Sequence, residues 1–248
     1  MTVSHKAWCR IPKSNTDTVV LCIHGILGSP AHFKWLLPQI PQEWAVYSIL
    51  LRGHGGTADD FASASMEQWR EQVRKMMQKL AKQYENIWIV GHSMGTLLAI
   101  ESAAACGKVR GMFLLGVPLR PHVTVQAVRE SLQVLFRKIP PDDRWAAAAR
   151  DAYSIRPDRR LWRYLRWIPQ YLGLFSEMRR ARKLLPTLYI PCVAVQSVKD
   201  ELVSMRTMHD LRENTSFYCI ALPDSGHFYL APDDAKITAD ALFGLMHG

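Results

Sequence analysis

A chain of 248 residues, 48% of them hydrophobic, can bury one substantial core, and its mixed composition excludes a disordered, collagenous or disulfide-scaffold protein. No apolar run approaches the length of a bilayer span and the N-terminus lacks the apolar core of a signal peptide, so the expectation is a soluble, cytoplasmic protein. The net charge of +9 is concentrated: residues 118–186 hold 15 Lys or Arg against 6 Asp or Glu, and the remainder of the chain is balanced.

The first β-rich run, 18–23, is continuously apolar rather than alternating, as a parallel strand buried on both faces requires. It leads into His24-Gly25-Ile26 and Gly28-Ser29-Pro30, and a helical period follows at 31–39. A second run, 46–51, ends in the turn-forming Arg52-Gly53-His54-Gly55, where His54 reads as a structural turn element, and residues 66–84 carry a long helical period. The third run, 87–90, passes directly into Gly91-His92-Ser93-Met94-Gly95, with a helix expected over 96–106. A bare G-x-S-x-G arises by chance in about one chain in ten of this size. Between a strand and a helix it predicts a tight, strained turn that pushes the serine hydroxyl out of the sheet, with the two glycines leaving room for neighbouring backbone and His92 packing beneath.

After a strand at 109–115 the alternation breaks. Residues 118–186 carry amphipathic helical stretches punctuated by Pro140, Pro141, Pro157 and Pro169 and no strand, which predicts a helical insertion over one end of the sheet. Val125, Val128, Leu132, Leu135 and Phe136 recur at helical spacing and are expected to roof an apolar pocket, with Leu132, Leu135 and Phe136 as candidate substrate contacts. Residues 159–168 predict an amphipathic helix with Arg159, Arg163 and Arg166 on one face and Leu161, Tyr164, Leu165 and Ile168 on another. Three readings of it stand: apolar packing over the active site with solvated arginines, attraction of an anionic acyl substrate, or peripheral contact with an anionic lipid surface. Strands resume at 192–195 and 217–222, helices at 204–212 and 233–246, so the whole reads as an α/β fold with a mostly parallel, doubly wound sheet.

Ligands of such sheets bind beyond the carboxyl ends of the strands. Ser93, the His24-Gly25-Ile26 segment, Asp200 and His227 all fall there, in the chain order serine, acid, histidine that α/β hydrolases use. Glu201 and Asp224 are the competing acids. The five cysteines show no C-x-x-C, three of them lie in predicted strands and the nine histidines show no metal-ligand spacing, so neither metal nor cofactor is expected. No nucleic-acid motif accompanies the basic segment.

These motifs, with Asp200-x-x-Val203 and Ser225-Gly226-His227, make the chain similar to α/β-hydrolase-fold serine esterases and monoacylglycerol lipases of the small bacterial carboxylesterase type. The resemblance covers residues 18–117 and 187–247 and departs at Ser197, where many relatives have glycine. It implies an α/β-hydrolase core of 1–117 and 187–248, with 118–186 in the place of that family's cap. Ser93 would be the nucleophile, His227 the base and Asp200 its orienting acid, with oxyanion donors at the N–H groups of Met94 and Ile26 and His24 bracing the oxyanion loop. The implied activity is hydrolysis of small-molecule carboxylic esters with an apolar portion. The same residues serve thioester, amide and carbon–carbon bond hydrolases, and a catalytically silent ligand- or lipid-binding protein would keep the fold.

Overall fold

A computed structural model of the chain describes residues 4–248, so positions 1–3 of the expected core lie outside the described residues. Seven strands form one sheet: β1 (Trp8–Arg10), β2 (Thr18–Ile23), β3 (Ala45–Ile49), β4 (Asn86–His92), β5 (Val109–Leu115), β6 (Cys192–Ser197) and β7 (Phe217–Leu222), in spatial order 1-3-2-4-5-6-7. Every pairing is parallel except that of β1 with β3. Three strands begin and end where the apolar runs do. The three-residue edge strand β1 carries no periodic signal and is an addition to the sequence expectation.

Successive side chains of a strand point to opposite faces, and β2 shows what this does to a continuously apolar run. Val19, Leu21 and Ile23 join one core cluster while Val20 and Cys22 join the other. The first face is covered by α2 (Met66–Gln83), α3 (Met94–Ala105) and α6 (Ile168–Leu184). The second is covered by α8 (Pro232–His247) and a 3-10 segment, Pro30–Gln39, where a plain helix was expected. A proline at its first position and another at Pro38 suit short 3-10 turns rather than a continuous α-helical ladder. Two short helices complete the core. The capping box of Thr57 and Asp60 starts α1 (Ala58–Ala62), which the apolar period did not signal, and α7 (Thr207–Arg212) begins three residues later than its period suggested.

Between β5 and β6, residues 118–186 form α4 (Val125–Phe136), α5 (Arg144–Ala152), a 3-10 stretch Leu161–Trp167 and α6. Two expectations are corrected here. The stripe meant to roof a pocket is largely on the outside of α4: Val125 is 87% exposed and Val128 and Phe136 are also open, whereas Ala127, Glu130 and Val134 are buried. The arginine-rich stretch is 3-10 rather than α-helical, its Leu165 and Ile168 point to solvent, and two of the three arginines assigned to one face are paired, Arg163 with Asp158 and Asp59 and Arg166 with Asp59, while Arg159 has no such partner among the described residues. A helical period marks that an apolar face exists but not which way the face is turned.

The far half of α6 is core. Leu174, Met178 and Ala181, with Leu185 just beyond the helix, join the α2–α3 cluster and bring Glu177 into a partly buried charge group. There Arg70 Nε lies 2.9 Å from Glu101 and 3.4 Å from Glu177, with Arg180 and Glu67 at its margins. Burial, and then repulsion from Glu101, pushes the Glu177 carboxyl up to about 7. A folded-state value above the unfolded one means that stability falls as pH rises from the ordinary carboxylate range through about 7. Glu177→Gln should therefore melt higher than the wild type at pH 8, with the gap closing near pH 5.5; an equal gap at both pH values in thermal denaturation would contradict this.

Candidate active site

β4 ends at His92 and α3 starts at Met94, so Ser93 alone turns the chain. Its φ of 51° and ψ of −124° lie where a non-glycine residue pays about 1–3 kcal/mol, which the surrounding packing must offset. The two glycines of the motif are dictated by contact. A Cβ on Gly91 would sit 2.9 Å from Thr96 Cα, and one on Gly95 would overlap the Ile23 carbonyl at the end of β2. The Ser93 N–H donates to the Leu115 carbonyl (2.8 Å), fixing the turn to the end of β5.

The loops after β6 and β7 meet this turn. His227 Nε2 is 3.0 Å from Ser93 Oγ, and its Nδ1 is 3.0 and 3.1 Å from the two Asp200 oxygens. A carboxylate only accepts, so Nδ1 carries the proton and Nε2 faces the serine hydroxyl as acceptor. Asp200 Oδ1 also accepts the N–H groups of Leu202 (2.9 Å) and Val203 (2.8 Å), and Oδ2 accepts Gln196 Nε2 (3.0 Å). Burial alone would raise Asp200, but His227 and these donors prevail and hold it below its usual value. For His227, burial opposes the imidazolium, while Asp200 and then Glu201 outweigh it and raise the group above 6.5.

The competing acids have other places. Asp224 is exposed and pairs with Lys199 at 2.7 Å. Glu201 is buried and its Oε2 accepts the backbone N–H of His227 (3.0 Å), while the His227 carbonyl accepts His92 Nε2–H (3.1 Å). The imidazole is thus held by its backbone on both sides. Sequence reasoning weighed Glu201 only as a rival to Asp200, because spacing carries no information about a contact to a main-chain amide.

Met94 is the first residue of α3, where an N–H has no intrahelical acceptor. Ile26 lies in the loop whose Gly25 runs against Ser93: a Cβ there would be 2.7 Å from that of the serine. His24 Nδ1–H donates to the Gly25 carbonyl (2.8 Å) and Nε2 accepts the Leu51 N–H (3.0 Å), so the ring is neutral, held well below its ordinary range by burial and then by His54. His54 is likewise neutral, pushed down to about 4 by burial. Ser154, not anticipated, clasps the same loop: its N–H donates to Leu27 O (2.7 Å) and its hydroxyl to Gly28 O (2.7 Å).

One cavity touches these residues and a second lies beside the Leu27 loop. The first, about 430 Å³, reaches the back of His227 beside His32, Trp35 and Phe228. The other, about 350 Å³, lies beneath residues 118–186 against Leu27, Leu132, Leu135, Tyr153, Tyr164 and Tyr171. Leu132 and Leu135 therefore line an apolar space, whereas Phe136, on the last turn of α4 and 39% exposed, does not. Among the described residues no cluster of His, Cys, Asp and Glu is arranged to hold a metal ion, and no helix is long and apolar enough to cross a membrane.

Residues 20–241 match the family described as the alpha/beta hydrolase family. Among solved structures, the chain is similar to one described with LipS and LipT, two metagenome-derived lipolytic enzymes (TM-score 0.74, 20% identity, 98% of each chain). It is also similar to the Paleococcus ferrophilus monoacylglycerol lipase (TM-score 0.66, 16% identity, 97% of this chain and 98% of that one). A third likeness is to the thioesterase domain of the curacin biosynthetic pathway (TM-score 0.64, 24% identity, 95% and 93%). At these identities the likeness is one of fold. A curated relative, a serine hydrolase-like protein of Danio rerio, is 31% identical over 96 residues, which are 38% of this chain and only 26% of that protein.

The electrostatics are testable without a substrate. His32 and His92 beside His227 are neutral by burial, so Asp200 and Glu201 are the charges that face it. An NMR titration of the His227 ring should give a value above 6.5, and Glu201→Gln, which keeps an acceptor for the His227 amide but removes the charge, should lower it. An unchanged titration would show that the Glu201 charge does not act on the ring.

Proposed function

This chain belongs to the alpha/beta hydrolase family, and from that premise we propose that it cleaves carboxylic esters with an apolar portion through an acyl-enzyme on Ser93. The observation that carries the reading is the 3.0 Å approach of Ser93 Oγ to His227 Nε2, with Asp200 on the opposite ring nitrogen. A neutral hydroxyl is a weak nucleophile, and a base at that distance removes its proton as Oγ bonds to the ester carbon. The carbonyl π electrons move to oxygen, and the N–H groups of Met94 and Ile26 receive that oxyanion. One such donor is commonly worth about 3 kcal/mol of barrier. The imidazolium, stabilised by Asp200, returns its proton to the leaving alcohol as the carbon–oxygen bond breaks. Water, deprotonated by the same ring, then attacks the acyl-serine, and the acid leaves as Oγ regains a proton.

In this reading residues 118–186 are a cap, and the cavity against Leu27, Leu132 and Leu135 takes the apolar portion of the ester. Ser154 supports it by tying the cap to the loop that bears Ile26. Thioesters, the substrate class named for the curacin domain, call for the same steps with a thiolate leaving group.

Ser93→Ala should lower p-nitrophenyl ester turnover by at least about a thousandfold, and only the wild type should be labelled by a fluorophosphonate. Retained turnover in the variant excludes Ser93 as the nucleophile, and a wild type that never labels argues for a silent binding protein. Paired rates on an ester and its thioester analogue decide between the two substrate classes.

A further inference from the structure

The face of residues 161–175 turned away from the core is apolar. Leu161, Trp162, Leu165, Ile168, Leu172 and Phe175 follow one another at three- or four-residue steps after Trp162, and Leu165, Leu172 and Trp162 are 67%, 62% and 61% exposed. Across the mouth of the 350 Å³ cavity they meet Leu132 of α4: Leu132, Leu161 and Tyr171 are exposed and also line that cavity. Monomeric soluble proteins rarely show contiguous apolar patches of more than about a few hundred Å² unless something binds them.

Charge identifies what covers this one. The patch lies within the segment that carries the whole net charge, 15 Lys or Arg against 6 Asp or Glu. Exposed Arg159 precedes it and exposed Arg179 follows Phe175 on the next turn of α6, and neither has a carboxylate partner among the described residues. A second copy of the chain would set two such cationic surfaces against each other. An anionic bilayer matches both properties, since its headgroups take the arginines and its acyl boundary takes the leucines and Trp162.

We propose that the exposed apolar stripe of residues 161–175, with the arginines at its ends, docks this protein on an anionic phospholipid surface with the mouth of the cavity facing the lipid. Docking is independent of the hydrolysis argued above. Only the further step, in which the cavity draws an acyl chain of a lipid ester from the surface, rests on that reading.

The test is co-sedimentation of the full chain, carrying Ser93→Ala so that no lipid is consumed, with vesicles of phosphatidylcholine alone or with 30 mol% phosphatidylglycerol. Binding should favour the anionic vesicles by about tenfold or more and weaken as salt is raised. The pair Leu165→Glu and Leu172→Glu should abolish binding, and the pair Arg159→Glu and Arg179→Glu should remove the preference for anionic lipid. Both pairs should leave the circular dichroism spectrum, the melting temperature and, in the Ser93 background, turnover of a short soluble ester unchanged. Equal binding to both vesicle types, no binding, or binding insensitive to either pair overturns the proposal. So does a wild-type dimer in sedimentation velocity that the leucine pair dissolves, because the face would then be an interface between copies. Turnover lost at Ser93 with vesicle binding absent would leave the ester reading intact while rejecting the surface.

Discussion

The approach of α3 to the end of β2 is the constraint from which the rest of the site follows. β2 and β4 are parallel neighbours with Ile23 opposite Gly91, so a helix that leaves the end of β4 and packs back on the sheet must cross the end of β2. It crosses so closely that the Ile23 carbonyl occupies the place of a side chain at residue 95, and the chain has one residue in which to turn. That residue takes the strained angles, and its side chain projects beyond the sheet edge rather than into either core. The strain at Ser93 is set by backbone packing of two glycines, and the position of its hydroxyl inherits its rigidity from the sheet.

Once Ser93 is fixed, the difference between two adjacent acids decides the electrostatics. Asp200 and Glu201 are both buried and both near His227, yet Asp200 receives two backbone N–H groups, an amide and the ring, while Glu201 receives one backbone N–H from His227. Full hydrogen bonding keeps Asp200 ionised despite its burial, whereas burial prevails at Glu201 and raises it. The carboxylate held below its usual value is the one on the ring nitrogen, where a positive charge on the imidazole would be compensated. Glu201 instead holds the main chain, and the His92 ring does so from the other side.

The sheet was legible because short β-rich apolar runs leave a direct trace, continuous in the fully buried 18–23 and still visible in 109–115, despite Arg110, and in the half-exposed edge strand 217–222, and all three were read to the residue. The order of Ser93, Asp200 and His227 along the chain was legible because each follows a strand, and parallel strands deliver their carboxyl ends to one edge. The segment 118–186 was legible as helix but not in its orientation. On α4 the buried side includes Glu130, which accepts from Gln126 at 2.8 Å, and on α6 it includes Gln170 and Glu177. Each is a polar residue that a periodicity argument assigns to solvent; Glu130 is met by a neighbour on its own helix, whereas Gln170 and Glu177 are met by partners from distant parts of the chain. Such pairings are long-range, as with Gln170 and the carbonyls of Ala62 and Ala64, and leave no local pattern. Ser154 escaped notice for the same reason, since its partners lie more than a hundred residues away.

The two halves of that segment are held by different forces. α6 is fixed by apolar packing of Leu174, Met178 and Ala181 on the α2–α3 layer and by Trp167, whose Nε1–H donates to Ala58 O at 3.0 Å. α4 and α5 bury little apolar surface of their own. They are tied to the core chiefly by a few hydrogen bonds, Ser154 to the Leu27–Gly28 loop and Thr124 N–H to the Glu201 carbonyl (3.1 Å), beside the packing of Trp145 against Gly226 and Tyr229. Hydrogen bonds exchange with water at small net free energy, whereas burial of several large apolar side chains does not. The attachment of α4 and α5 to the core is therefore the weaker of the two, and the outer apolar stripe runs along the firmly packed α6. The cavity between Leu132 and Tyr171 lies where these two differently held halves meet.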